Sequence, residues 1–516
     1  MSKTNLVYNV GDKPSWGKTI LFAFQQLLAI LAATIAVPAI VGNGMSPAAA
    51  LFGAGVGTIV YLLFTKFKSP VFLGSSFAFI APMSAAFAGA VSAAAGYLGI
   101  IIGAILAGLV YAIIALIVKL AGTAWINKIM PAVVIGPTVA IIGLSLAGNA
   151  IGDLLSGSYY VPSTASAIVT DITGYSLVGD PVLLASGEYA IVYNTSVVAT
   201  STWIALVVGL ITLFGTILLS VFGLGMQKMI PFVIGILFGY AAAAIFTGIG
   251  WAANNDSLKV IDFAKFQNIE WVPKFVFIEA FNGFQSFTSA GQFFEYFSVL
   301  VVGYVPVAFV VFAEHIADHK NLSSIIGNDL LENPGLHRTL LGDGVGSIAG
   351  AFFGGCPNTT YGESVGTVAI SRNASIRTIL VAALMAIVLS FIGPFATFLS
   401  TIPSCVMGGV CIALYGFIAV SGLKMLQTTD LGDNRNLFVV SVVLISGIGG
   451  LALTIGKIKL TTVACSLILG ILVNALVNIK SWMNIKPIRK MSSLGPSEET
   501  PSEEPPAENS EEEPKE

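Results

Sequence analysis

The chain has 516 residues, 55% of them hydrophobic and only 10% charged, with a mean hydropathy of +0.88 and a formal net charge of −3. Soluble domains carry roughly 25% charged residues, so a chain this long and this poor in charge cannot coat a water-facing globule. No basic stripe marks a nucleic-acid surface, and Cys356, Cys405, Cys411 and Cys465 show neither a CxxC spacing nor a metal pattern.

A bilayer span needs about 20 mostly apolar residues. Read in chain order, apolar runs between charged or Gly/Pro-rich breaks predict fourteen spans, at 19–41, 47–65, 70–89, 95–119, 131–150, 200–223, 229–248, 299–319, 340–356, 358–371, 375–398, 403–424, 436–455 and 460–479. The first is long enough to span and follows a polar, lysine-bearing start, so it reads as a membrane helix and not as a cleavable signal peptide. Three stretches stand outside the bilayer. Residues 151–198 carry Asp and Glu but no Lys or Arg; 249–298 include the aromatic patch FNGFQSF (281–287); and the Pro/Glu/Ser-rich tail, 483–516, reads as disordered.

Charge placement orients these spans. With the N-terminus in the cytoplasm and strict alternation, 19 of the 24 Lys and Arg residues fall inside and 5 outside (Lys259, Lys265, Lys274, Lys457 and Lys459). That bias fits the positive-inside rule and predicts a multi-pass cell-membrane protein with both termini cytoplasmic. Removing the short, Gly/Pro/Thr-rich ninth and tenth spans together would preserve it, so the bias supports an even total. Fourteen divides into seven plus seven, and an odd number per half makes the halves inverted repeats, a hallmark of secondary transporters whose site lies where helices break. The matching breaks are SPVFLGSSFAFIAP (69–82) in the third span and CPNTTYGESVG (356–366) in the tenth, third in its half. Each has Pro, Gly and hydroxyl residues where a plain span has Leu and Ile, and each reads as a short extended stretch followed by a half-helix.

Few ionisable residues lie in the spans. Glu314, His315, Asp318 and His319 cluster in AEHIADH, Asp343 opens the ninth span, and Glu363 sits inside the broken tenth. Glu314 and Asp318 are four apart and share a helix face; His315 and His319 form a second such pair. A carboxylate at a helix centre costs about 2.5–3.5 kcal/mol on insertion scales, so it marks function by default, against the plainer reading of a buried structural pair. For Asp318 and His319 the plainer reading is an interfacial helix end. A half-helix start offers unpaired N–H donors and a carboxylate offers acceptors only. Together they complement a planar ligand with alternating N–H and C=O groups, with Phe77 or Tyr361 covering its ring or simply packing. Several polar cyclic solutes fit this logic. No metal cluster, phosphate loop or Ser/His/Asp grouping supports an enzyme, and no cofactor is expected.

QQLLAILAATIAVPAIVG (25–42), GSSFAFIAP (74–82), AEHIADH (313–319), GNDLLENPGLHRTLLGDG (327–344) and GGCPNTTYGESVG (354–366) resemble the nucleobase:cation symporter-2 (nucleobase-ascorbate transporter) family, in its uracil branch, across roughly residues 17–480. The resemblance implies an all-α polytopic fold of fourteen spans in a seven-plus-seven inverted repeat, with short antiparallel strands in spans three and ten. It implies a core domain (17–121 and 299–399), a gate domain (122–250 and 400–482), alternating access and gate faces able to support a homodimer. Carried over by position, the substrate residues are Glu314, Glu363, Gly362 and Phe77, with Ser76 a nearby hydroxyl and Tyr361 beside them. The implied cargo is uracil with a proton; a xanthine, urate or other purine carrier on the same scaffold is the alternative, with a passive channel or a nucleobase sensor behind it. Glu363 favours the pyrimidine branch, where the purine branch typically has Gln. Ser364 stands for the family's Asn, Ser371 for a Thr, Gln25-Gln26 for Gln-His, and Asp318 for a His. Gln26 cannot titrate, which assigns proton coupling to Glu314 with Asp318. The related sulfate-transporter fold is a further rival, but no Lys or Arg lies in spans three, eight or ten.

Overall fold

The computed structural model describes residues 6–169, 182–183, 189–224, 227, 230–267, 269–455 and 458–482; the acidic tail, 483–516, lies outside them. In chain order the helices are α1 (Trp16–Val41), α2 (Pro47–Phe64), α3 (Ile80–Ala88), α4 (Ala93–Ala121), α5 (Ala124–Ile129), α6 (Ala132–Ser145), α7 (Ala147–Leu154), α8 (Thr202–Phe222), α9 (Pro231–Ala252), α10 (Val276–Gly283), α11 (Ala290–Ile326), α12 (Leu336–Gly354), α13 (Gly362–Ser371), α14 (Ile376–Ser390), α15 (Gly393–Thr401), α16 (Ser404–Met425), α17 (Asn434–Ile448) and α18 (Thr462–Trp482). The strands are β1 (Leu73–Ser75), β2 (Tyr160–Val169), β3 (Val182–Leu183), β4 (Tyr189–Val198), β5 (Asn358–Thr360), β6 (Leu453–Ile455) and β7 (Ile458–Leu460).

Among the described residues nine helices are long and apolar enough to cross a membrane, and the pair α14 and α15, bent by 85° at a short break, makes a tenth. The bend falls where Pro394 enters the first turn of α15, a position that tolerates proline because its N–H would be unpaired anyway. The eighth predicted span, 299–319, is the centre of the 37-residue α11, and the ninth, 340–356, starts four residues earlier as α12. Hydropathy marks where a helix prefers lipid, whereas α11 continues through polar residues until Gly327 takes a left-handed turn, φ 69°. The stretch 151–198, read only as a polar loop, contains β2 paired antiparallel with β4, which also pairs with β3.

The helices pack in two groups. α1, α2, α4, α11, α12 and α14 form one, and α6, α7, α8, α9, α16, α17 and α18 the other, with α1 reaching α9 and α16 and α11 reaching α6 and α18. Outward faces stay apolar, as in Phe214, Leu218 and Phe222 of α8, which suits lipid as solvent. With no hydrophobic drive between helices in lipid, close backbone approach through small residues holds them together. Gly53 and Gly57 of α2 face Gly346 and Gly350 of α12: a methyl on Gly57 would lie 2.8 Å from the Gly346 carbonyl oxygen, and one on Gly53 2.7 Å from that of Gly350. Gly57→Ala is therefore expected to push the two helices apart at a cost of about 1–3 kcal/mol. It should lower the melting temperature of the detergent-solubilised protein, while Gly148→Ala, where nothing lies within 4 Å, leaves it unchanged.

The two breaks meet. β1 and β5 pair antiparallel, with Leu73 opposite Thr360, Gly74 opposite Thr359 and Ser75 opposite Asn358, all buried. A short 3₁₀ turn (Phe77–Phe79) and α3 follow β1, and α13 follows β5. The expected strand and half-helix thus stands in both the third and the tenth stretch.

Candidate functional site

The strand crossing is anchored from behind. Thr58 of α2 accepts from the Leu73 N–H at 2.9 Å, and the Asn358 side-chain amide donates to the Gly53 carbonyl at 2.9 Å. The Ser347 hydroxyl of α12 donates to the Asn358 carbonyl, and the Ser76 N–H donates to the Pro357 carbonyl at 2.9 Å. A three-residue strand leaves backbone groups to satisfy inside a membrane protein, where each lost bond is costly, and these side chains supply partners. The sequence reading missed Thr58, Ser347 and Asn358, each of which bonds to a residue of a different element, Asn358 to one 305 positions away.

Tyr361 belongs to this scaffold. Its ring lies where a methyl on Gly74 would have to go, and its hydroxyl donates to the Ser75 carbonyl at 2.5 Å. It is 3% exposed. It locks β1 to the start of α13, the packing role that the sequence left open beside a ring cover.

The other expected residues converge around the crossing. Gly362 and Glu363 form the first turn of α13, with Gly362 exposed and Glu363 half-buried. On α11, Glu314 is half-buried and Asp318, one turn on, is buried. Thr360, the last residue of β5, donates to the Asp318 carboxylate at 2.9 Å, and a methyl on Gly362 would stand 3.7 Å from the other Asp318 oxygen. Asp318 therefore touches the crossing itself, not the solvent at a helix end. Glu314, Asp318 and Glu363 lie close enough to feel one another's charge. Among the described residues none of the three forms an ion pair, and no side chain donates a hydrogen bond to Glu314 or Glu363. The Glu314 carboxylate keeps its acceptors for something else, and that of Glu363, which accepts its own backbone N–H, keeps lone pairs to spare. Phe77 is 7% exposed and meets Tyr415 of α16 edge to face at 5.4 Å, a contact between the two helix groups. The buried Ser76 hydroxyl has no partner among the described residues.

The histidines stand behind the site. His315 bonds through Nδ1 to Asp343 at 2.8 Å and through Nε2 to Thr339 at 3.0 Å. Asp343, expected at the edge of its span, is fully buried. His319 Nδ1 lies 2.8 Å from the His315 carbonyl oxygen, which only accepts, so Nδ1 carries the proton. Its Nε2 meets the Tyr61 hydroxyl at 2.7 Å, and that hydroxyl bonds to Ser69 at 2.7 Å. Both imidazoles are committed to holding α11 against α2 and α12. Among the described residues no group of three His, Cys, Asp or Glu side chains could hold a metal ion.

Apolar spans in two packed groups, with paired helix breaks that bring carboxylates and an open helix start together, define a multi-pass membrane permease. The chain belongs to the permease family, whose description, "Permease family", it matches over residues 17–186 and 159–456; it is a transport protein and not an enzyme. It is 37% identical to the uracil permease of Bacillus caldolyticus over 91% of this chain and 94% of that one, and 36% identical to the uracil permease of Bacillus subtilis (strain 168) over 92% and 96%. The uracil permease of Escherichia coli (strain K12) is 33% identical over 91% and 93%. In fold the chain is similar to the transmembrane domain of a cyanobacterium bicarbonate transporter, BicA, with a TM-score of 0.52 and 14% identity over 90% of this chain and 98% of that one. It is also similar to murine Slc26a9, an anion transporter in the inward-facing state, with a TM-score of 0.58 and 13% identity over 91% and 69%. At such identities the likeness concerns the fold alone.

Proposed function

We propose that the chain imports uracil together with protons across the cytoplasmic membrane by alternating access. The observation that carries this reading is the pairing of two carboxylates without side-chain donors, Glu314 and Glu363, with the open start of α13 at Gly362. An imide edge alternates N–H and C=O. The two N–H groups of uracil can each face one of the acceptor-only carboxylates, and its carbonyls suit the N–H groups of a helix start. Phe77 lies against the ring and Ser76 offers a nearby hydroxyl. The names of the matched relatives support the same substrate.

In this reading fourteen segments cross the bilayer as two inverted sevens, with both termini cytoplasmic and with 151–198 and 249–298 outside. The two helix groups serve as a core domain (17–121 and 299–399) and a gate domain (122–250 and 400–482). The outward-facing protein takes a proton on Glu314, aided by Asp318, and a neutral base on Glu363. The core then moves against the gate and both are released inside. A groove of about 910 Å³ beside α3, lined by Ala81, Ser84, Glu295, Tyr296 and Thr461, supplies the outer approach.

Purified protein in liposomes is expected to accumulate labelled uracil under an inward proton gradient and only to equilibrate it without one. Equal final levels in the two conditions would remove proton coupling. Excess unlabelled xanthine, hypoxanthine or urate should leave the uptake largely intact; strong competition by them would move the substrate to the purine class.

A further inference from the structure

The helix that carries Glu363 is held at both ends by one continuous piece of chain. At its start, the Ser364 hydroxyl accepts from the Gln26 side-chain amide of α1 at 2.5 Å and from the Phe72 N–H, just ahead of β1, at 2.9 Å. Those two bonds fill both lone pairs of the hydroxyl oxygen. Gln26 and Ser364 are buried, 2% and 0% exposed, so neither bond has a solvent substitute. At its other end α13 stops at Ser371, and Arg372 turns left-handed at φ 54°, a conformation that costs a non-glycine residue free energy and persists where its surroundings enforce it.

The enforcing element is the N-terminal segment. The N–H groups of Val7 and Tyr8 donate to the Arg372 carbonyl at 2.9 and 3.2 Å, and Tyr8 pairs in parallel with Asn373. Ala374 N–H donates back to the Tyr8 carbonyl at 2.9 Å, and Ile376 N–H to that of Val10 at 3.2 Å. The Ser375 hydroxyl donates to the Asp12 carbonyl at 2.6 Å. Arg377 donates to the Pro14 carbonyl at 3.2 Å and stacks 3.8 Å over the Trp16 ring, where α1 begins.

We propose that residues Leu6 to Gln26 position Glu363, with the strap fixing the far end of α13 and Gln26 its first turn. Ten residues of helix form a rod of about 15 Å, so a shift at either end reaches the carboxylate. A hydrogen-bonding clamp must hold its groups to within about 0.5 Å, which an unsupported half-helix in the middle of a membrane protein does not provide. Gln26 and the strap are positioning residues, and the proposal rests on the reading of Glu363 as the ligand clamp.

The test uses the purified full chain and uracil. Gln26→Ala, Ser364→Ala, their double variant, Tyr8→Pro (which removes one strap N–H) and Glu363→Ala are compared for uracil binding, and the first four also for uptake in liposomes. Gln26→Ala is expected to weaken binding about tenfold, the effect of one buried hydrogen bond lost, and the double variant to be no weaker than Ser364→Ala alone. Tyr8→Pro should raise KM several-fold while Vmax per folded protein holds; a merely structural strap would lower the yield of folded protein and leave KM alone. Independent, multiplying effects of Gln26→Ala and Ser364→Ala would overturn the proposal. So would parent-like affinity in both Gln26→Ala and Tyr8→Pro while Glu363→Ala fails to bind. Parent-like binding by Glu363→Ala would instead bring down the site assignment, and this proposal with it.

Discussion

Glu363→Ala is expected to bind uracil about ten- to a hundredfold more weakly than the parent protein and to melt at the same temperature. The two halves of this expectation come from one observation: no side chain among the described residues donates to the Glu363 carboxylate, which sits half-buried in the first turn of α13. Its removal therefore strands no side-chain donor in the fold, and the one backbone N–H it accepts, its own, stands at an open helix start. A hydrogen bond to a charged group is worth about 1.5–3 kcal/mol, so losing the one ligand N–H bond that Glu363 accepts weakens binding about ten- to a hundredfold. Glu363→Gln sharpens the test. It keeps the shape and one acceptor oxygen but turns a donor toward a ligand N–H. A buried site whose polar groups no longer match its ligand can reject it by about 10⁴-fold. Glutamine should thus be nearly as damaging as alanine for uracil, whereas a residue that merely fills space would tolerate it. Calorimetric titration of both purified variants reads this directly, and parent-like affinity in either one would remove Glu363 from the site.

Much of this arrangement is legible in the sequence, for physical reasons that particular residues show. Pro70, Gly74, Ser75 and Ser76 in one span, and Pro357, Thr359, Thr360 and Gly362 in the other, cannot be lipid-facing helix, so both breaks announce themselves. Glu314 and Glu363 stand out because a carboxylate in hydrocarbon is costly enough to need a purpose. What stays hidden depends on which distant segments meet. That Tyr361 serves the scaffold follows only once its hydroxyl reaches Ser75, 286 positions away, and its ring fills the space over Gly74. Asp318 reads as a helix end near water until Thr360 is seen to donate to it. Gln26 reads as a lost titratable group, yet its partner Ser364 lies 338 positions on. The ends of α11 escape for a different reason: hydropathy reports solvent preference, and a helix supported by neighbours runs past the point where its side chains turn polar.

Glu314→Gln is expected to keep exchanging uracil across the membrane but to lose accumulation against a gradient. Glu314 and Asp318 share one face of α11, yet they differ in what they hold. Asp318 accepts the Thr360 hydroxyl at 2.9 Å, so it is committed to the strand crossing. Glu314 receives no side-chain hydrogen bond among the described residues, so it can take and lose a proton without disturbing the crossing. Glu314, Asp318 and Glu363 are near enough to interact, and among the described residues no ion pair relieves them. Three negative charges in a space largely closed to water repel one another strongly, and one bound proton removes part of that repulsion. A proton carried with each neutral base moves one charge, and through 100 mV that is worth about 2.3 kcal/mol, enough for roughly 50-fold accumulation at 1.4 kcal/mol per decade. Glutamine at 314 has no titrating proton, so the accumulation ratio should fall to about one while uracil-for-uracil exchange continues. Asp318→Asn retains an oxygen for the Thr360 hydroxyl, so it should slow transport by a factor of several and preserve accumulation. Liposome uptake under an imposed pH gradient and potential, run beside exchange without either, separates these outcomes. Accumulation by Glu314→Gln would show that the coupling proton does not ride on Glu314. Loss of accumulation in Asp318→Asn alone would exchange the roles of the two carboxylates.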